Sequence, residues 1–132
     1  MDIKVLLVDN EENIREALKY GLNSKGIFNI EEASNGMEAL LKAIGIRPDI
    51  ILLDVTMPVM DGIQAYKRLK ENPETRHIPV ILLTANPYKD ILQEIKITVD
   101  EYLEKPCEIE KLFTRIKKVL SLGRSKDYGY TK

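Results

Sequence analysis

Polar residues follow four short apolar runs. Asp9 and Asn10 follow IKVLLV (3–8), Asp54 follows DIILL (49–53), Thr84 follows PVILL (79–83), and Lys105 lies just past EYL (101–103). Two carboxylates and an amide oxygen are hard donors of the kind Mg²⁺ takes, with water completing its octahedron. Asp54, the central carboxylate, can act as a nucleophile toward a phosphoryl group. Such a transfer asks chiefly for positioning and charge neutralisation. A cation and the Lys105 ammonium supply the neutralisation, and the Thr84 hydroxyl can donate to a phosphoryl oxygen. Each residue also has a plainer reading. Asp9, Glu11 and Glu12 suit the positive end of a helix, Asp54 suits a turn, Thr84 suits a strand, and Lys105 suits a solvated surface. Their coincidence at the ends of successive runs favours the chemical reading.

The elements that must position these groups follow from hydrophobic period. Ile3–Val8, 49–53 and 79–83 are nearly continuous in aliphatic residues, as in parallel strands buried on both faces. The run 28–33 (FNIEEA) is more polar and fits a strand nearer an edge, and 101–103 fits a last short strand. Between them the period becomes helical. Ile14, Ala17, Leu18, Gly21 and Leu22 form one stripe, Met37, Leu40, Leu41 and Ile44 another, and Ile109, Leu112, Phe113, Ile116, Val119 and Leu120 the clearest. Residues 62–71 read as a helix closed by Asn72-Pro73, and Asn86-Pro87 opens a further helix with Asn as N-cap and Pro at the first position. This βα alternation with right-handed crossovers predicts a five-stranded parallel sheet covered on both sides. In such sheets ligands bind beyond the carboxyl ends of the strands, where the polar residues above are found. From Ser121 the apolar period is lost, and 122–132 reads as a flexible tail or the start of a linker, leaving 1–121 as one domain.

The totals agree with a single soluble domain. The chain has 132 residues, 44% apolar and 31% charged, with a net charge of −1. That balance advertises neither nucleic-acid nor membrane binding. One cysteine, Cys107, rules out an internal disulfide and a multi-cysteine zinc site. No apolar run reaches the roughly 20 residues that span a bilayer, and MDIKVLLVD lacks the features of a signal peptide. A cytoplasmic location is expected.

The segments VDNEEN (8–13), DVTMPVMDG (54–62), LTA (83–85) and EKP (104–106) carry a resemblance. Over about residues 3–121 the chain resembles the receiver domain of two-component response regulators, of the chemotaxis-regulator type. The resemblance implies a flavodoxin-like (βα)5 fold, a doubly wound sheet with strand order 2-1-3-4-5. It implies that Asp54 is the phosphoacceptor and that Asp9, Asn10, Asp54 and the backbone carbonyl of Thr56 surround Mg²⁺. Thr84 and Tyr102 are the implied switch residues, Lys105 contacts the phosphoryl oxygens, and Lys105-Pro106 takes a cis peptide, which X-Pro bonds permit at low cost. Met57, Pro58 and Gly62 shape the loop after the acceptor, and Thr56 and Asn86 tune the phosphate lifetime. The implied donor is a sensor histidine kinase or phosphotransfer protein. The implied output is a downstream protein target or an output domain beyond this sequence. The domain is a phosphoacceptor for signalling, catalysing at most its own phosphorylation and dephosphorylation. His77, in a loop, and Cys107 have no role in this scheme.

The chain departs from the family in two places. Asn10 stands where a second carboxylate is usual, so the metal is offered two carboxylates in place of three. A unit charge about 4 Å away is worth about 4 kcal/mol at an effective dielectric constant near 20, an upper guide because water replaces part of it. Removing that charge also removes repulsion that would raise the pKa of Asp54. Ile97-Thr98-Val99 stands where a Gly-Ala pair often ends the helix before the last strand, so that helix lacks its glycine C-cap signal. Asn10 also motivates an alternative, a receiver-like interaction module that signals without phosphorylation. An aspartyl-phosphate phosphohydrolase would want an acid at 56, where threonine stands. A flavodoxin would want a phosphate cradle where VDNEEN places carboxylates. The charge argument yields a direct expectation: Asn10→Asp binds Mg²⁺ more tightly than this chain in a calorimetric titration, and equal affinities contradict it.

Overall fold

The aliphatic runs become the interior of a sheet. The computed structural model describes residues 2–55, 61–85 and 102–130, with 122–130 as backbone only. The strands are β1 (Lys4–Val8), β2 (Asn29–Ala33), β3 (Ile50–Asp54), β4 (Val80–Thr84) and β5 (Tyr102–Glu104). The helices described are α1 (Glu12–Ser24), α2 (Gly36–Ile46), α3 (Gly62–Glu71) and a C-terminal helix, Ile109–Tyr130. All strand pairs are parallel, in the order β2-β1-β3-β4-β5. This is the expected flavodoxin-like sheet. The helix predicted from Asn86-Pro87 and the Ile97-Thr98-Val99 departure lie outside the described residues.

Alternation along the three inner strands divides the core in two. Leu6, Val8, Ile51, Leu53 and Leu82 face Ala39 and Ala43 of α2 and Ile63, Ala65 and Leu69 of α3. Val5, Leu7, Ile50, Leu52, Ile81 and Leu83 face Leu22 of α1 and Leu112 and Ile116 of the C-terminal helix. Both faces of β1, β3 and β4 are therefore buried, which is why those segments carry no polar alternation. At the edges β2 and β5 alternate exposed and covered positions instead. The backbone of the C-terminal helix continues past Ser121, where the apolar period ends.

Local chemistry sets the helix starts. Asn35 caps α2 by accepting from the Glu38 N–H at 2.9 Å, and the Glu38 carboxylate accepts from the Ser34 N–H at 2.7 Å. Asp61 caps α3 by accepting from the Gln64 N–H at 2.8 Å. Glu11 is the N-cap of α1 and Glu12 its first residue, so the two glutamates begin that helix as expected, though Glu11 makes no side-chain cap bond.

Gly62 opens α3 against the end of β3. Its N–H donates to the Val55 carbonyl at 2.8 Å. A Cβ there would lie 2.1 Å from the Asp54 carbonyl oxygen and 2.6 Å from Val55 Cα. Both obstacles are backbone of the strand that carries Asp54. Gly45, near the end of α2, has nothing within 4 Å of such an atom. Gly62→Ala should therefore cost at least about 1–3 kcal/mol through forced displacement. Gly45→Ala should be neutral or stabilise by up to about 1 kcal/mol, because alanine favours the helix. Urea unfolding of the two variants checks the contrast, and equal midpoints would contradict it.

Candidate functional site

Asp9 comes directly after β1 and is 1% exposed. Its N–H donates to the Ala33 carbonyl at 3.1 Å, which extends the pairing with β2 by one bond. One carboxylate oxygen, Oδ1, accepts from the Glu11 N–H at 2.9 Å, so Asp9 helps to start α1. Its backbone carbonyl accepts from Arg15 Nη1 at 2.7 Å. The other oxygen, Oδ2, lies 3.4 Å from Lys105 Nζ.

Asp54 ends β3 and is 4% exposed, and Thr84 ends β4 at 6%. Lys105 Nζ donates to Asp54 Oδ1 at 3.0 Å, so one ammonium spans both buried carboxylates. The Lys105 N–H donates to the Thr84 carbonyl at 2.6 Å, which fixes the lysine backbone against the end of β4. The Lys105-Pro106 peptide is cis, as the resemblance implied. Burial alone would lower the Lys105 pKa, but the hydrogen bond from Lys105 to Asp54 and the charges of Asp54 and Asp9 outweigh burial and raise it above the ordinary lysine value.

The fold thus gathers Asp9, Asp54 and Lys105 through side-chain contacts, and brings Thr84 in through the backbone. Asn10 is exposed beside them. Tyr102 lies on β5, half-buried against the core on the α2–α3 side, and its carbonyl accepts from Arg115 Nη1 at 2.9 Å. Gly62 packs under the Asp54 backbone. Pro106 is exposed at the cis bond. Thr56, Met57, Pro58 and Asn86 lie outside the described residues. His77 is exposed in the turn before β4. Burial pushes the Cys107 thiol up, away from the reactive thiolate.

The donor set suits a hard divalent cation. Asp9 and Asp54 offer carboxylate oxygens that share one ammonium, which brings them within reach of one ion. Among the described residues no group of three His, Cys, Asp or Glu assembles, so two carboxylates gather here, with the neutral Asn10 beside them.

Sequence reasoning missed Arg15 and Glu32. Arg15 Nε pairs with Glu32 Oε1 at 2.9 Å, and Lys19 Nζ holds Glu32 Oε2 at 2.9 Å. Lys42 Nζ donates to the Glu32 carbonyl. The hydrogen bond from Lys19, with that from Arg15, keeps Glu32 below the usual carboxylate range against the opposing effect of burial. The available signal was faint: an arginine early in α1, and a glutamate beside Ala33, which pairs with Val8.

Residues 5–117 match the family described as response regulator receiver domain. The chain is 36% identical over 121 residues to the alkaline phosphatase synthesis transcriptional regulatory protein PhoP of Bacillus subtilis, covering 91% of this chain and 49% of that protein. It spans about half the length of that relative. Among solved structures, the receiver domain of a signal transduction histidine kinase from Syntrophus aciditrophicus matches with a TM-score of 0.80 at 36% identity, covering 90% of each chain. The receiver domain of the sensor histidine kinase PA1611 from Pseudomonas aeruginosa, which has a magnesium ion coordinated in its active site cleft, matches with a TM-score of 0.81 at 26% identity, covering 92% of this chain and 99% of that one. With the match spanning most of its length, the chain belongs to the response regulator receiver domain family of two-component signalling systems.

Proposed function

We propose that this chain accepts a phosphoryl group on Asp54 from a histidine kinase or phosphotransfer protein and switches a protein-interaction surface in response. The observation that carries this reading is the pair of buried carboxylates, Asp54 and Asp9, bridged by Lys105 at 3.0 and 3.4 Å. A carboxylate oxygen of Asp54 donates an electron pair to phosphorus. The bond from phosphorus to the donor's leaving atom breaks, and that electron pair departs with the donor. The product is an acyl phosphate on Asp54. Lys105 then pairs with the phosphoryl oxygens in place of the carboxylate it holds in the unmodified protein. Asp9, Asp54 and Asn10, with the carbonyl of Thr56, would hold Mg²⁺, which supplies charge neutralisation when bound. Asn10 weakens that binding.

Thr84 closes toward the phosphoryl group and Tyr102 follows, biasing a two-state surface. Thr56 and Asn86 tune how long the phosphate lasts. Residues 1–121 form the receiver and 122–132 a tail or linker toward an output domain or partner, in the cytoplasm and with no direct role in nucleic-acid or membrane binding. The phosphorylation-independent reading is supported by Asn10 alone, whereas Asp54, Lys105 and Thr84 are all in place. Normal output from Asp54→Ala in cells would favour it.

Incubation with acetyl phosphate or phosphoramidate and Mg²⁺ should add one phosphate by intact mass, and Asp54→Asn should add none. No addition under any donor contradicts the proposal.

The bridge also has a pH signature. Because the folded-state pKa of Lys105 is raised, its stabilisation is complete below the unfolded lysine value of about 10.4 and is lost as pH rises through the higher folded value. In metal-free buffer the difference in unfolding free energy between the wild type and Lys105→Met should therefore narrow at strongly alkaline pH. A constant difference from pH 8 to the alkaline limit of folding would contradict this sign.

A further inference from the structure

Three of the four polar groups of Asp9 are committed away from the candidate cation site. The N–H goes to Ala33, Oδ1 takes the Glu11 N–H, and the carbonyl takes Arg15. Oδ2 faces Lys105. The geometry of the Asp9–Asn10 peptide is thus set from the α1–β2 side. Arg15 is the only side chain among the described residues shown holding the Asp9 carbonyl. Its side chain is 15% exposed, and its guanidinium is itself oriented by Glu32, which Lys19 also grips. A planar fork holding a backbone oxygen with one nitrogen and a carboxylate with another is rigid in a way an ammonium is not.

We infer that Arg15, anchored by Glu32, is a positioning residue that holds the Asp9–Asn10 peptide in its cation-binding orientation without touching cation or phosphoryl group. The inference rests on the phosphoacceptor reading for its cation. With Asn10 neutral and Glu11 and Glu12 exposed, Asp9 is the one buried carboxylate of this loop, so its orientation carries the loop's direct contribution to the cation. Charge alone predicts the opposite outcome. Deleting a positive residue near a cation site should tighten cation binding. Positioning predicts that it loosens. The sign of the change therefore separates the two.

The test is Mg²⁺ binding to the full chain by calorimetry, with thermal unfolding as a control for folding. Arg15→Met should weaken Mg²⁺ binding about tenfold or more, as loss of an outer-shell partner does. Arg15→Lys, which can reach one partner but not both, should restore only part of it. The double variant Arg15→Met with Glu32→Gln should bind no better than Arg15→Met alone. Unchanged or tighter Mg²⁺ binding in Arg15→Met overturns the inference, as does full recovery in the double variant, which would reduce Arg15 to neutralising Glu32. Absence of Mg²⁺ binding by the wild type overturns it too. Failure of the wild type to take up phosphate while Arg15→Met still weakens Mg²⁺ binding counts against the phosphoacceptor reading and leaves the role of Arg15 standing.

Discussion

Two carboxylates buried at one edge of a sheet repel each other, and a site built from them needs positive charge between them. In the described residues that charge is Lys105, whose ammonium lies 3.0 Å from Asp54 and 3.4 Å from Asp9. A buried carboxylate without such a partner is costly. The lysine thus makes the arrangement tolerable in the folded protein by placing its ammonium within reach of both carboxylates. It reaches them because its own N–H is fastened to the Thr84 carbonyl at the end of the neighbouring strand. Three strand ends therefore meet at one residue, two through its side chain and one through its backbone.

The sheet makes that meeting possible. Parallel pairing aligns the carboxyl ends of β1, β3 and β4, and the register places Asp54 opposite Leu83 and Val8 opposite Leu53. The aliphatic layers on either side exclude water from everything behind the strand ends, so polar chemistry is confined to the rim. Gly62 lets the chain return to the rim in contact with the backbone of Asp54, a spacing that no larger residue permits without displacement. Lys105 enters from the far side, directly after the short edge strand β5, which pairs with β4 over Tyr102–Glu104.

The α1–β2 side contributes through backbone geometry more than through charge. Asp9 gives one oxygen to the start of α1 and its carbonyl to Arg15, and keeps the remaining oxygen toward Lys105. Glu11 and Glu12 begin α1 as expected, and Asp9 serves that helix as well, through the Glu11 N–H. Of Asp9 and Asn10, only Asp9 carries a carboxylate, and it is buried while Asn10 is exposed.

Much of the molecule was legible in the sequence, for identifiable reasons. Short, nearly continuous aliphatic runs between helical patterns fit strands buried on both faces, and their polar successors then lie along one rim. Asp9, Asp54, Thr84 and Lys105 are placed at the strand ends by that pattern alone. Helix ends written in local chemistry, such as the stretch from Gly62 to Glu71, were equally readable. Other features depend on residues far apart in the chain. That one ammonium spans both carboxylates, that Gly62 presses on the backbone of Asp54, and that Arg15 joins the Asp9 carbonyl to Glu32 are results of packing. The sequence by itself determined the periodicity, the strand-end chemistry and the single neutral position in the acidic loop, because these are encoded within a few neighbouring residues. The tertiary structure decided which groups share a partner and which are held from behind, because only crossing elements bring the hydrogen-bonding groups of α1, β2 and β5 to the ends of β1 and β3.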